Sequence, residues 1–153
     1  MIKRLADNIV SPLGFTAQEN YEAVRRMESG IGPGKDPAGT AISVAQLDPE
    51  KLEREFLRVC RPQREYTPVE KAMLLSASLA VDQAGIDASS PRTGFVLSTT
   101  KGNIHLLGMP DHGLGKDRIH LWHTAGLLSE YFGNPGDPLT ISNACISGAC
   151  AQI

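Results

Sequence analysis

The sequence predicts an α/β protein, and three observations predict it. Segments with apolar residues at helical spacing alternate with short runs of β-branched and apolar residues, and glycine or proline punctuates the boundaries between them. At 153 residues, 41% hydrophobic and 21% charged, the chain is long enough to bury one core and ordinary enough in composition to be globular. Helical patterns between apolar strands imply crossover connections, with helices covering sheet faces. The pattern leaves strand order open.

After a short first segment and the turn-like "SPLG", Thr16 and Glu19 make a capping box, and Ala17, Tyr21 and Val24 share one face of a helix that Gly30 closes. "GIGPGKDPAG" reads as loop and "TAISVAQL" as a strand. Asp48 as cap and Pro49 in the first turn open a second helix, with Leu52, Phe56 and Val59 on one face. Thr67, Pro68 and Glu70 open a third. In it Val69, Met73, Ala77, Ala80, Val81 and Ala84 leave little polar surface, which predicts a mostly buried helix ending at Gly85. "TGFVLSTT", bounded by Pro91 and Gly102, reads as a buried strand, and a glycine-rich loop follows. "RIHLWHTAGLLSEYFG" has Leu121, Ala125, Leu128 and Phe132 at helical spacing with Gly133 as its stop, and "DPLTIS" resumes strand character.

Charge and apolar content exclude several functions. A formal net charge of −2, with both signs interspersed, gives no basic stripe, so neither nucleic acid nor an anionic membrane is expected as a partner. No apolar run approaches the roughly 20 residues that span a bilayer, and "MIKRLADNIV" has no signal-peptide core, which predicts a cytoplasmic protein. Cys60, Cys145 and Cys150 are an odd and sparse set, read as reduced thiols.

Two of those thiols fall in "ISNACISGAC". A strand "PLTIS" running into "NACISGAC" predicts a sharp turn into a helix starting near Cys145, with Leu139 and Ile141 in a buried strand and Ser147 to Ala151 in a buried helix. The small residues Ala144, Ser147, Gly148 and Ala149 permit close packing there. Unpaired amides and the positive end of a helix favour thiolate over thiol, so a cysteine so placed can ionise below its free value of about 8.5, and the same amides can bind an oxyanion. The residues alone leave two readings of Cys145 open: an activated nucleophile, or a small buried core residue. Cys150 and Cys60 read as structural. His105, His112, His120 and His123 lack a carboxylate–histidine pattern and read as surface or hydrogen-bonded histidines, so no metal site is expected. "GIGPGK" is followed by Asp36 where a phosphate-binding loop has serine or threonine, and it reads as a plain loop.

"GNPGDPLTISNACISGA" resembles the nucleophile region of β-ketoacyl-acyl-carrier-protein synthases, condensing enzymes of the thiolase fold. "NIVSPLG", "NYEAVRRMESGIG", "LLSASLAVDQAGID" and "RTGFVLSTTKGN" are similar to further blocks of that family and stand in its order across nearly the whole chain. The resemblance implies a thiolase-like fold, with residues 1–153 as the N-terminal half of a layered αβαβα architecture and the C-terminal half absent. It implies that Cys145 takes an acyl group from an acyl-carrier-protein thioester. Malonyl-carrier-protein then decarboxylates and attacks the acyl-enzyme, and the Cys145 amide contributes to the oxyanion hole. It further implies no cofactor, a homodimer at full length, and catalytic histidines and a lysine in the absent half. Asn143, where the family commonly has threonine, and Ile146, where it has a small residue, are departures. The alternative is a non-catalytic partner subunit of a condensing-enzyme heterodimer, but such partners lack the nucleophile that Cys145 retains. The 153-residue chain by itself is therefore expected to form no β-ketoacyl product from acyl and malonyl thioesters. Product above that of a Cys145→Ala control, measured by mass spectrometry, would contradict this.

Overall fold

The computed structural model describes residues 3–36, 38–109 and 113–153. The chain is mixed α/β and divides into two units, Met1–Pro62 with Lys71–Ile86, and Gln63–Glu70 with Asp87–Ile153.

In the first unit, helix α1 (Ala17–Arg25) starts at the capping box read from the sequence: Thr16 Oγ1 accepts from the Glu19 amide at 3.1 Å and the Glu19 carboxylate accepts from the Thr16 amide at 3.1 Å. Its inward face differs from the expected one. Asn20 and Ala23 are buried, whereas Tyr21 and Val24 are exposed. The reason is polar: Asn20 Nδ2 donates to the carbonyls of Ile9, Gly14 and Thr16 at 3.1, 3.0 and 2.8 Å, and Oδ1 accepts from Ser11, so the side chain that anchors the preceding turn must point inward. The helix also stops before Gly30. Met27 adopts φ +56°, and the amides of Met27 and Glu28 bond back to Val24 at 2.9 Å and Ala23 at 3.0 Å, the pairing that satisfies a helix's last carbonyls.

The "GIGPGK" stretch is not all loop. Strand β1 (Gly32–Lys35) pairs antiparallel with β2 (Ala41–Val44), the latter where the sequence predicts a strand. A Cβ on Gly34 would come within 2.4 Å of Val44 Cγ2, so glycine here admits the cross-strand valine. Helix α2 (Pro49–Val59) is capped by Asp48, whose Oδ1 accepts from the Glu50 and Lys51 amides at 3.0 and 3.1 Å, and it buries Leu52 and Phe56 as predicted. Helix α3 (Pro68–Ala84) contributes the buried Leu74 and Leu75. It is half-buried rather than mostly buried along Lys71–Val81, and Val69 is exposed. Ala23, Leu52, Phe56, Cys60, Leu74 and Leu75 make the apolar core of this unit.

In the second unit, strand β3 (Val96–Ser98) pairs parallel with β4 (Leu139–Ile141), in the register Val96 to Leu139 and Ser98 to Ile141. Helix α4 (Leu121–Tyr131) lies between them in sequence, so the crossover that defines α/β connection is present. Gly133 at φ +63° closes α4, with the Gly133 amide bonded to Glu130 at 3.0 Å and the Asn134 amide to Ser129 at 2.9 Å. The strands are less buried than expected: Val96 is 46% and Leu139 57% exposed. Each has one neighbouring strand, and a two-stranded ladder leaves its outer edges uncovered.

A buried polar network organises this unit. Glu70 and Arg118 form a two-pronged ion pair, Arg118 Nε at 2.9 Å from Glu70 Oε1 and Nη2 bonded to Oε2. Asn103 Nδ2 donates to Glu70 Oε1 at 2.7 Å and to the Arg118 carbonyl at 3.0 Å, Thr67 Oγ1 lies 2.6 Å from Asn103 Oδ1, and Arg118 Nη2 donates to the Glu65 carbonyl at 3.1 Å. Glu70 also caps its own helix, accepting from the Thr67 amide at 2.8 Å. Nearby in sequence, burial pushes the Tyr66 phenol above its usual range.

Removing one partner of a buried ion pair strands the other, so Glu70→Ala should destabilise the second unit by about 3–5 kcal/mol. Denaturant unfolding followed by fluorescence of Trp122, the single tryptophan, measures this; a shift near zero would contradict the account.

Candidate functional site

Strand β4 delivers the chain to Asn143, and the turn that follows is sharp. Ala144 adopts φ +47°, a left-handed conformation that costs an L-residue about 1–2 kcal/mol. A single 3-10 turn spans Ala144–Ile146, and helix α5 (Ser147–Cys150) follows. The Ser147 hydroxyl holds this geometry: it accepts from the Asn143 amide at 2.7 Å and donates to the Ala144 carbonyl at 2.8 Å. Two such bonds, at about 1 kcal/mol net each, offset the backbone cost. The Ile146 amide bonds to the Asn143 carbonyl at 3.2 Å and the Ser147 amide to that of Ala144. The Cys145 amide takes part in none of these bonds.

Cys145 is exposed and lies outside the apolar core of the second unit. Cys60 is buried at the end of α2 with its thiol 3.6 Å from Ser78 Oγ, and Cys150 is half-buried with Sγ 3.7 Å from Asn143 Nδ2, both consistent with structural roles.

Helix α5 begins at Ser147, where the sequence places it, after the 3-10 turn over Ala144–Ile146. Two expectations for this region are corrected. Four residues align few peptide dipoles, so the helix-end field invoked from the sequence contributes little. The helix is also not buried: Ser147 is, whereas Gly148 and Ala149 are exposed and Cys150 and Ala151 half-buried. It lies against the two strands beside it, β3 and β4.

The other sequence candidates do not assemble with Cys145. His120 and His123 each lie nearly parallel to Trp122, at 5.9 and 5.6 Å between ring centres, and His120 Nε2 is 3.9 Å from Asp117 Oδ1. His105 is exposed, and His112 lies outside the described residues. Among the described residues no group of three or more His, Cys, Asp or Glu is placed to hold a metal ion, and no helix is long and apolar enough to cross a membrane. Open clefts of about 390 and 430 Å³ belong to the first unit, the former lined by Glu19, Glu22, Arg26, Lys51 and Arg54 among others; neither includes a thiol. Sequence reasoning missed Ser147 as the residue that ties the turn. Its signal was present, a serine hydroxyl placed to reach back to nearby backbone groups.

No protein-family model matches the chain, and no curated protein matches it.

Exposure orders the thiols, so brief iodoacetamide treatment of the native protein should label Cys145 first, Cys150 more slowly and Cys60 last. Peptide mass mapping at partial labelling checks the order, and early label on Cys60 would contradict it.

Proposed function

We propose that Cys145 is the acyl-accepting nucleophile of a β-ketoacyl-acyl-carrier-protein synthase, with the chain as the N-terminal half of a thiolase-like fold. The observation that carries this reading is the exposed Cys145 on a strained strand-to-helix turn, inside the segment that resembles the family's nucleophile region. The order of the other four blocks supports it, as does the parallel β3–α4–β4 crossover leading to the turn.

In the acylation step the Cys145 thiolate attacks the carbonyl carbon of an acyl-carrier-protein thioester. The new carbon–sulfur bond forms as the bond to the carrier's sulfur breaks, and the carrier thiolate leaves and takes up the proton that Cys145 gave up. The unengaged Cys145 amide suits the oxygen that becomes negative in between. Malonyl-carrier-protein is the second substrate on this reading. Ile146, 56% exposed beside Cys145, is bulkier than the small residue usual in the family.

Mixing the chain with an acyl-N-acetylcysteamine thioester and following loss of thioester absorbance tests the first step. The expected result is a burst approaching one equivalent per chain, abolished in Cys145→Ser. No burst, or one that persists in Cys145→Ser, would overturn the proposal.

A further inference from the structure

We infer that Ser147 is the positioning residue for the Cys145 site: through its hydroxyl it fixes the peptide joining Ala144 to Cys145, and so aims the Cys145 amide. Ser147 is 5% exposed, the one buried residue of the turn and of α5, and both hydrogen-bonding functions of its hydroxyl go to the chain just before Cys145. The bond that it donates ends on the Ala144 carbonyl at 2.8 Å. That carbonyl and the Cys145 N–H belong to one planar peptide, which is trans, so they point in opposite directions. The same carbonyl also accepts from the Ser147 amide, so hydroxyl and amide together hold it on the Ser147 side, which turns the Cys145 N–H the other way and leaves it without a partner in the turn. The bond that Ser147 accepts, from the Asn143 amide at 2.7 Å, ties down the peptide entering Asn143, one residue before the left-handed Ala144 at φ +47°.

The positioning stands without any assumption about acyl transfer; its consequence for the oxyanion rests on the function proposed above. The two are separated by measuring two rates at Cys145, alkylation by iodoacetamide, which develops no oxyanion, and acylation by an acyl-N-acetylcysteamine thioester, which does. Loss of one or both hydroxyl bonds in Ser147→Ala should slow alkylation by about three-fold, and should slow acylation by a further factor of about three or more. Ser147→Thr, which keeps the hydroxyl, should restore both to within about two-fold of the parent. Fluorescence of Trp122, in the same unit as Ser147, reports folding in the same samples. If Ser147→Ala shifts that emission toward the unfolded value, the comparison passes to Ser147→Thr against Ser147→Val, which differ by the hydroxyl at nearly constant shape.

Alkylation unchanged in the variant without the hydroxyl, or not restored by threonine, would overturn the positioning. An equal loss in both rates would overturn the aiming of the amide. If the parent is alkylated but never acylated, the proposed function fails, and the alkylation arm still decides the role of Ser147.

Discussion

A carboxylate buried at Glu70 has to be met by a positive charge and by donors for its remaining lone pairs, and the second unit is arranged around meeting it. Arg118, 48 residues away in sequence, supplies the charge, Asn103 a further donor and the Thr67 amide another. Three segments are thereby fixed together: the start of α3, the turn after β3, and the approach to α4. The last matters most for the site. With Arg118 held just before α4, the crossover has a defined beginning, and Gly133 and Asn134 give it a defined end. Asn134 Nδ2 reaches the carbonyls of Ala88, Ser90 and Thr93 at 2.7, 3.1 and 3.0 Å, which ties the exit of α4 to the chain leading into β3. Phe95 stacks on Phe132 at 5.4 Å beside it.

The Cys145 turn is the product of that arrangement. β4 is short and paired on one side, so the chain leaves it abruptly, and the reversal is concentrated at Ala144 rather than spread over a long loop. The cost is met locally by Ser147, the one residue of the turn that is withdrawn from solvent. What results is an exposed thiol on a turn tied by two hydrogen bonds of the Ser147 hydroxyl. Accessibility and rigidity are the two properties that a nucleophile needs before its chemistry is considered.

Much of this was legible in the sequence wherever the signal is local. The Thr16–Glu19 box, the Asp48–Pro49 start, the Thr67–Glu70 start and the Gly133 stop each depend on atoms a few residues apart, and each appears in the structure. The α/β alternation and the junction at Cys145 were legible for the same reason. Long-range demands were not. Nothing near Glu70 names Arg118 as its partner, and Asn20 displaces Tyr21 and Val24 from the inner face of α1 because of carbonyls in a preceding turn. β1 was missed because a glycine-rich stretch carries no strand propensity of its own; Val44 across the ladder makes Gly34 suitable. Burial was overestimated along β3, β4 and α5, since apolar composition reports what a segment can bury and not how many neighbours cover it.

The proposed function puts an acyl group on the thiol of this turn and on neither of the other two. Peptide mapping of the chain after exposure to an acyl thioester decides it. The acyl mass should be found on the peptide containing Cys145, linked as a thioester that hydroxylamine removes. An acyl group mapped to Cys60 or Cys150, or none on any cysteine while the thioester is consumed, would contradict it.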